Sequence, residues 1–183
     1  TVNGRNIELH AATGIGADSP LSVDLLGSTG TLTATSTTGN IQLHEASGPM
    51  RIAQVTTSNT SGDVTLTSTQ GIVGVGSGNL VKGASIKLFA DGDIGSSSQA
   101  LRTDMGNNAD RDQFTAITPN GNININETAG NLYVNQIISG TVDVDGHVTQ
   151  VGAGDVRVEM SGAGNIVDAN NSEARDPRTE EQL

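Results

Sequence analysis

The sequence has no cysteine, no tryptophan and few aromatic residues of any kind. Without cysteine there can be neither a disulfide staple nor a thiolate site for catalysis or metal binding. The aromatic residues are Phe89, Phe114 and Tyr133 in a chain of 183 residues. A rounded core of that size usually relies on large rings to fill its volume. We therefore expect thin layers of Ile, Val, Leu and Ala, which favours an elongated domain.

Positive charge is also scarce, with 9 Lys and Arg against 20 Asp and Glu and a net charge of -11. Binding to nucleic acid or anionic lipid needs clustered basic residues, so neither partner is expected. No apolar run is long enough to cross a bilayer, and no charged segment precedes an apolar one as in a signal peptide. We expect no direct membrane insertion, and we interpret the sequence as an interior segment of a longer chain.

A repeated unit is the most prominent feature that the sequence does have. It consists of glycine, a polar residue and two apolar residues at i and i+2, a spacing that places both apolar side chains on one face of a strand. The apolar pairs are Ile7/Leu9, Ile41/Leu43, Val64/Leu66, Ile86/Leu88, Ile123/Ile125, Val142/Val144 and Val156/Val158. Their irregular spacing indicates a period of roughly 20 residues with insertions. The two long gaps hold further strand candidates at Leu21/Val23/Leu25 and Leu101/Thr103.

A second motif occurs at 14–24 and again at 93–104, where both segments read Ile-Gly, a small polar run, then Leu-x-[Val/Thr]-Asp. We expect its Ile to point inward and its Gly to permit a tight corner. A coil of three short strands cannot bury its apolar pair alone, but coils stacked roughly 4.8 Å apart share backbone hydrogen bonds and a continuous core. Helical signals are almost absent, because Gly, Asn, Thr and Ser interrupt every window.

These patterns predict an all-β parallel β-helix, or β-solenoid, over residues 1–169, with about eight or nine coils of roughly 20 residues and a length of roughly 40 Å. An antiparallel β-sandwich also alternates, but it would not repeat the unit in register. Residues 105–113 are polar without alternation and predict a loop inserted in one coil. Residues 170–183 lose the pattern too, and Asp176-Pro177 before Glu180 is typical of a helix start. This tail is interpreted as a polar linker or the start of a helix.

With both motifs considered, the chain resembles the repeat regions of large bacterial secreted adhesins of the filamentous haemagglutinin type. The resemblance covers about residues 1–169 and depends on units such as 92–104 and 39–48. It implies a right-handed parallel β-helix in a secreted or cell-surface setting, acting as a structural or adhesive rod without catalytic residues. The implied partners are a glycan or protein of a host or neighbouring cell and the flanking repeats of the same longer chain. A cut solenoid also exposes unpaired strand edges, so end-to-end self-association is expected of an isolated segment.

Calcium is the one cofactor for which the sequence offers candidate ligands, namely the side-chain oxygens of Asp104, Asn108, Asp110 and Asp112. The Gly and the closing Glu of a typical calcium loop are missing from this segment. No firm metal site is therefore predicted. His10 and His44 occupy the same position in their repeats but are 34 residues apart, so we expect both to be solvated.

Two other functions are compatible with parts of the pattern. A β-helix polysaccharide lyase or hydrolase acting on cell-surface glycans would need two carboxylates across one groove, and Asp91 and Asp93 could share a face. Few aromatic platforms and the strong negative charge of the chain argue against it. Threonine rows at 31–35 and 65–67 are typical of ice-binding faces, but other coils carry charged residues at the outward positions. The sequence thus predicts a non-catalytic protein.

Overall fold

The computed structural model of the chain describes residues 1–169. Within that range the chain forms no helix, and its strands are distributed over two large sheets. The strands are β1 (Val2–Gly4), β2 (Asn6–Ala11), β3 (Leu21–Leu25), β4 (Thr31–Ser36), β5 (Ile41–Glu45), β6 (Met50–Thr56), β7 (Val64–Ser68), β8 (Ile72–Gly74), β9 (Leu80–Gly83), β10 (Ile86–Ala90), β11 (Leu101–Met105), β12 (Phe114–Thr118), β13 (Ile123–Glu127), β14 (Leu132–Val142), β15 (Val148–Val151), β16 (Val156–Met160) and β17 (Ile166–Asp168). The predicted linker or helix start at 170–183 lies outside the described residues.

The chain crosses back and forth between the two sheets. The first sheet runs in the order β1, β3, β5, β7, β10, β12, β14, and the second in the order β2, β4, β6, β9, β11, β13, β16. Neighbours within each series are parallel, as between β5 and β7 or between β11 and β13. A chain that returns beside its own earlier strand after each circuit is a β-solenoid, so the predicted fold class is confirmed. Each circuit contributes two main strands rather than the three that were expected.

The solenoid has about 6 turns, and successive turns lie about 23 residues apart. In the first sheet Ile41 pairs with Val64, and Val64 pairs with Ile86. The expectation of eight or nine shorter coils was too high because the repeat unit changes sheets. Ile7 and Ile123 belong to the second sheet, so the long gaps before Ile41 and after Ile86 each span about one and a half turns. Six turns stacked at about 4.8 Å make a rod of roughly 30 Å.

The core is a single column of apolar side chains between the two sheets. Ile41, Leu66 and Ile86 are fully buried there, and Phe114 is the largest side chain with no exposure. One predicted pair was wrong: Val142 ends β14, and Val144 is fully exposed in the turn of an antiparallel hairpin between β14 and β15. The hairpin projects from the stack, so the alternating apolar residues of that segment do not mark side chains that point into the core.

The corners of the solenoid explain why glycine and an Asx residue so often precede the first inward apolar residue of a strand. Asn40 Oδ1 accepts the backbone N–H of Asp63 at 2.9 Å, and Asp63 Oδ1 accepts that of Ser85 at 3.1 Å in the next turn. Equivalent ladders run through Asp93, Asn122 and Asp155 and through Asn107, Asn131 and Asn165. The glycines let the turns approach, because a Cβ added at Gly154 would meet the Gly121 carbonyl oxygen.

The Ile-Gly motif is a strand interrupted by an outward loop. Ile94 forms a bridge with Ile123, the chain leaves the sheet over residues 95–100, and Leu101 resumes the pairing opposite Ile125. Ile94 is fully buried and Gly95 has φ +75°, as the sequence predicted for this motif. Similar excursions separate Ile15 from Leu21 over β5, and Ile72 from Leu80 over β6. We call the segments 75–79 and 95–100, which lie on the second sheet, the excursion loops.

The described part of the chain contains no helix that is long and apolar enough to span a membrane.

Candidate ligand-binding cleft

A polar cleft of about 250 Å³ lies on the outer face of the second sheet, beside the two excursion loops. Its floor consists of side chains from three neighbouring strands, β11, β13 and β16. These floor residues are Arg102, Asn124, Asn126, Arg157 and Glu159. The excursion loops form one wall with small polar side chains such as Ser77 and Gln99. The cleft is therefore built from chain segments as far apart in sequence as Ser77 and Glu159.

Strand alternation and register bring the floor residues together. Successive side chains of a strand point to opposite faces, so Ile125 enters the core while its neighbours Asn124 and Asn126 point outward. Asn126 pairs with Arg102 on one side. The next strand on the other side places Arg157 opposite Asn124. The cleft floor thus follows from the register of three parallel strands.

Hydrogen bonds fix the wall to the floor. Asn124 Nδ2 donates to the Ser96 carbonyl at 2.6 Å, which holds the loop 95–100 against β13. Asn79 Oδ1 accepts the backbone N–H of Arg102 at 3.0 Å, which attaches the other loop to β11. The Gln99 side chain donates to the carbonyl of Gly76 and so joins the two loops. This bonding preorganises the wall before any ligand arrives.

Two acceptors in the floor have no hydrogen-bond partner. Asn124 is only 6% exposed, and its Oδ1 is buried and unpaired; Asn126 Oδ1 is in the same situation. The bond from Asn124 Nδ2 to Ser96 establishes which atom of that amide is the free oxygen. A buried unpaired acceptor costs about 1–3 kcal/mol, so a donor at this place would be favourable.

The cleft also carries positive charge in an acidic protein. Arg157 is paired with Glu159, and Asp104, the next outward residue on β11, is paired with Lys82 at 2.6 Å. Among the described residues Arg102 forms no ion pair, and its guanidinium only donates to the Ser77 carbonyl at 3.3 Å. The cleft therefore offers one uncompensated guanidinium beside two oxygens that lack donors.

Among the predicted calcium ligands, the carboxylates of Asp104, Asp110 and Asp112 do not form a group with close ligand atoms. Asp104 is engaged by Lys82 on β11. Asp112 is 1% exposed, accepts the backbone N–H of Asn108 at 2.9 Å and lies 2.8 Å from an Arg111 nitrogen. Asn108 Oδ1 accepts the N–H of Asp110. The loop runs over 106–113, because Met105 belongs to β11 and is buried. Calcium in this loop stays a prediction, and the contacts present already employ Asp104 and Asp112.

A group that sequence reasoning missed lies on the hairpin between β14 and β15. Asp143, Asp145 and His147 place ligand atoms within 4.8 Å of one another, and all three are exposed. Asp143 Oδ1 already accepts the N–H groups of Asp145 and His147, and the bond from His147 is the main cause of its lowered pKa. The Asp-x-Asp-x-His spacing was visible in the sequence. The group could hold a cation, but its bonds are also those of an ordinary hairpin turn.

The structure separates the other sequence candidates. Asp93 Oδ1 accepts the N–H of Asn122 at 2.7 Å and is part of a corner ladder. His10 lies on β2 in the second sheet and contacts Glu8 at 2.9 Å, whereas His44 lies on β5 in the first sheet. The threonine rows are likewise on different sheets, in β4 and β7. Neither the histidines nor the threonines therefore form a shared face.

Two glutamates are fully buried in the core, Glu45 at the end of β5 and Glu127 at the end of β13. Both Glu45 carboxylate oxygens lie 3.2 Å from the Leu25 backbone nitrogen, which donates to them. Glu127 accepts the Thr103 hydroxyl at 2.7 Å and the Met105 N–H at 3.1 Å. Burial raises the pKa of both acids, that of Glu127 to about 7. Both point into the stack, whereas the cleft lies on the outer face of the second sheet.

In comparisons with known proteins, no family model, no curated protein and no solved structure matches this chain.

Proposed function

We propose that this chain is a structural and adhesive rod segment of a large secreted or cell-surface bacterial adhesin of the filamentous haemagglutinin type, and that it is not an enzyme. The observation that carries the proposal is the continuous stack, in which each turn shares its sheets, its core and its Asx ladders with the next. Such a stack resists bending and separates whatever lies at its two ends. A stiff spacer is the simplest use of this architecture.

The end of the stack supports a role within a longer assembly. β16 is a terminal strand of its sheet, and Val156 and Ile166 on the last turn are 48% and 53% exposed. Among the described residues no strand pairs with the outer edge of β16, and such an edge with exposed apolar side chains is suited to receive another coil. The occupant would be a flanking repeat of the same longer chain or, for an isolated segment, a second copy.

The side surface supports the adhesive part of the proposal. Most outward side chains are polar, and the cleft presents hydrogen-bonding groups that the protein itself does not satisfy. Of the two carboxylates considered for catalysis, Asp93 is engaged in its corner ladder. These features suit binding of a glycan or protein on a host or neighbouring cell better than hydrolysis.

Adhesion can be tested with beads that carry the purified chain. We expect such beads to bind to bacterial or host cells, and beads that carry the heat-unfolded chain to be washed off. The chain should release no reducing ends or unsaturated sugars from a panel of cell-surface polysaccharides. Equal retention of both bead types would refute the adhesive role. Turnover of any polysaccharide would instead favour the lyase or hydrolase alternative.

A further inference from the structure

We propose that the cleft on the second sheet binds one acidic sugar residue, a hexose unit bearing a carboxylate, of a cell-surface glycan. This inference rests on the proposed adhesive function and names the class of ligand and its place on the rod. It follows from three features of the cleft: its two unpaired acceptors, its uncompensated guanidinium and its size.

The unpaired acceptors call for a ligand that donates hydrogen bonds. Asn124 Oδ1 and Asn126 Oδ1 belong to the same strand at i and i+2, so they lie side by side on its outer face. Residues at i and i+2 are roughly 6.6 Å apart along a strand, so hydroxyl groups on opposite sides of one sugar ring, and not adjacent ones, are the donors that could reach both oxygens. Both oxygens are buried, so a ligand reaches them only after a neighbouring side chain moves; Arg157, opposite Asn124 in register, is 62% exposed and would have to leave its ion pair with Glu159. Sugar hydroxyls would then satisfy the oxygens that the protein leaves unpaired.

The guanidinium determines the charge of the ligand. Arg102 is adjacent to Asn126 in register and lacks an acidic partner among the described residues. A guanidinium favours a carboxylate, with which it can form two parallel hydrogen bonds. The protein as a whole repels anions through its net charge of -11, so an acidic ligand would be held by this local contact and not by long-range attraction.

The volume of the cleft limits the contact to a single unit. At about 250 Å³ it is smaller than the pockets of drug-sized ligands, which typically measure roughly 300–1,000 Å³. No aromatic side chain lines it, so stacking adds nothing to the affinity. A single site of this kind binds weakly, and many copies along a cell surface would be needed for firm attachment.

The experiment uses the purified chain on an array of oligosaccharides that carry hexuronate residues, each with its neutral hexose counterpart. We expect binding to acidic members and much weaker binding to the neutral ones. Arg102→Ala should reduce the affinity about 10- to 100-fold, since it removes a charged hydrogen bond. Asn126→Ala should reduce it about 2- to 10-fold through loss of a neutral one.

Lys87→Ala is the matched control, because it removes one positive charge from the exposed face of β10 on the opposite sheet. It should bind like the wild type, and the melting temperatures of all variants show whether each remains folded. Equal binding of neutral and acidic sugars would overturn the proposed ligand class. Binding that survives both cleft substitutions would overturn the site. If no array member binds while coated beads still adhere to cells, this inference fails and the adhesive function stands.

Discussion

We expect the stability of this protein to fall as the pH rises through the range in which Glu127 ionises. Glu127 is fully buried, and burial is the main cause that raises its pKa from 4.5 to about 7. Below pH 4.5 the acid is protonated in the folded and the unfolded chain alike, and it costs nothing there. Above that pH the unfolded chain releases a proton that the folded chain keeps, so stability declines until the pH passes about 7.

The size of the decline follows from the shift. A pKa raised from 4.5 to about 7 corresponds to about 3 kcal/mol, at about 1.4 kcal/mol per pH unit. That is a large part of the 5–15 kcal/mol typical of a folded domain, so it should be measurable. Glu45 adds to the decline, since burial raises its pKa as well.

The assay is urea unfolding followed by circular dichroism at about pH 4 and about pH 8, at constant ionic strength. Glu127→Gln keeps the neutral shape and an acceptor for the Met105 N–H. It should resemble the wild type at the lower pH and be about 2–3 kcal/mol more stable at the higher one. Asp91→Asn removes a negative charge from an exposed position and should keep the pH dependence of the wild type. The reasoning is refuted if the wild type does not lose stability, or if Glu127→Gln is equally destabilised at both values.

Three further predictions concern the corners and the inserted loop. Asp63→Ala should cost about 0.5–1.5 kcal/mol in urea unfolding because it removes an acceptor of the ladder, whereas Asp63→Asn should be near neutral; equal losses would contradict the ladder. Gly154→Ala should cost about 1–3 kcal/mol, since its Cβ meets the Gly121 carbonyl, and a wild-type unfolding midpoint would show that the corner has room. EDTA should leave the melting temperature unchanged, because Asp104 and Asp112 already have basic partners. A melting temperature that falls with EDTA and recovers with added calcium would instead support the predicted calcium site.

Much of the fold could be predicted from the sequence because a solenoid repeats its local rules in every turn. Alternation identified strands such as Ile41/Leu43, and the Gly-Asx step marked the corners. The number of turns could not be predicted in the same way. The same unit occurs in both sheets, so the distance from Ile86 to Ile123 measures one and a half turns and looks like one coil with an insertion. Only the pairing of strands distinguishes the two cases.

The cleft lies beyond what sequence reasoning could find. Its floor joins Asn124 to Arg157, 33 residues apart, because the hairpin between β14 and β15 lengthens that turn. No local sequence motif indicates that Arg157 lies beside Asn124, and an asparagine in a strand is ordinarily an outward polar residue. The signal of a site is that the Asn124 oxygen lacks a donor, and this is a property of three-dimensional packing.

The Ile-Gly motif and the Gly-polar-apolar strand unit depend on each other in the stack. A strand that resumes after an Ile-Gly excursion ends with a backbone N–H inside the stack, that of Leu25 in β3 and that of Met105 in β11. In each case the strand in the next turn ends in a glutamate, Glu45 or Glu127, whose carboxylate accepts that N–H. Leaving the N–H unpaired would cost about 1–3 kcal/mol, and the burial of an acid is the alternative cost. The Ile-Gly excursion and the strand ending in glutamate therefore belong together, one turn apart. The excursion loop 95–100 thus leads into β11, whose Met105 N–H is bonded by Glu127, the residue expected to make the stability of the core depend on pH.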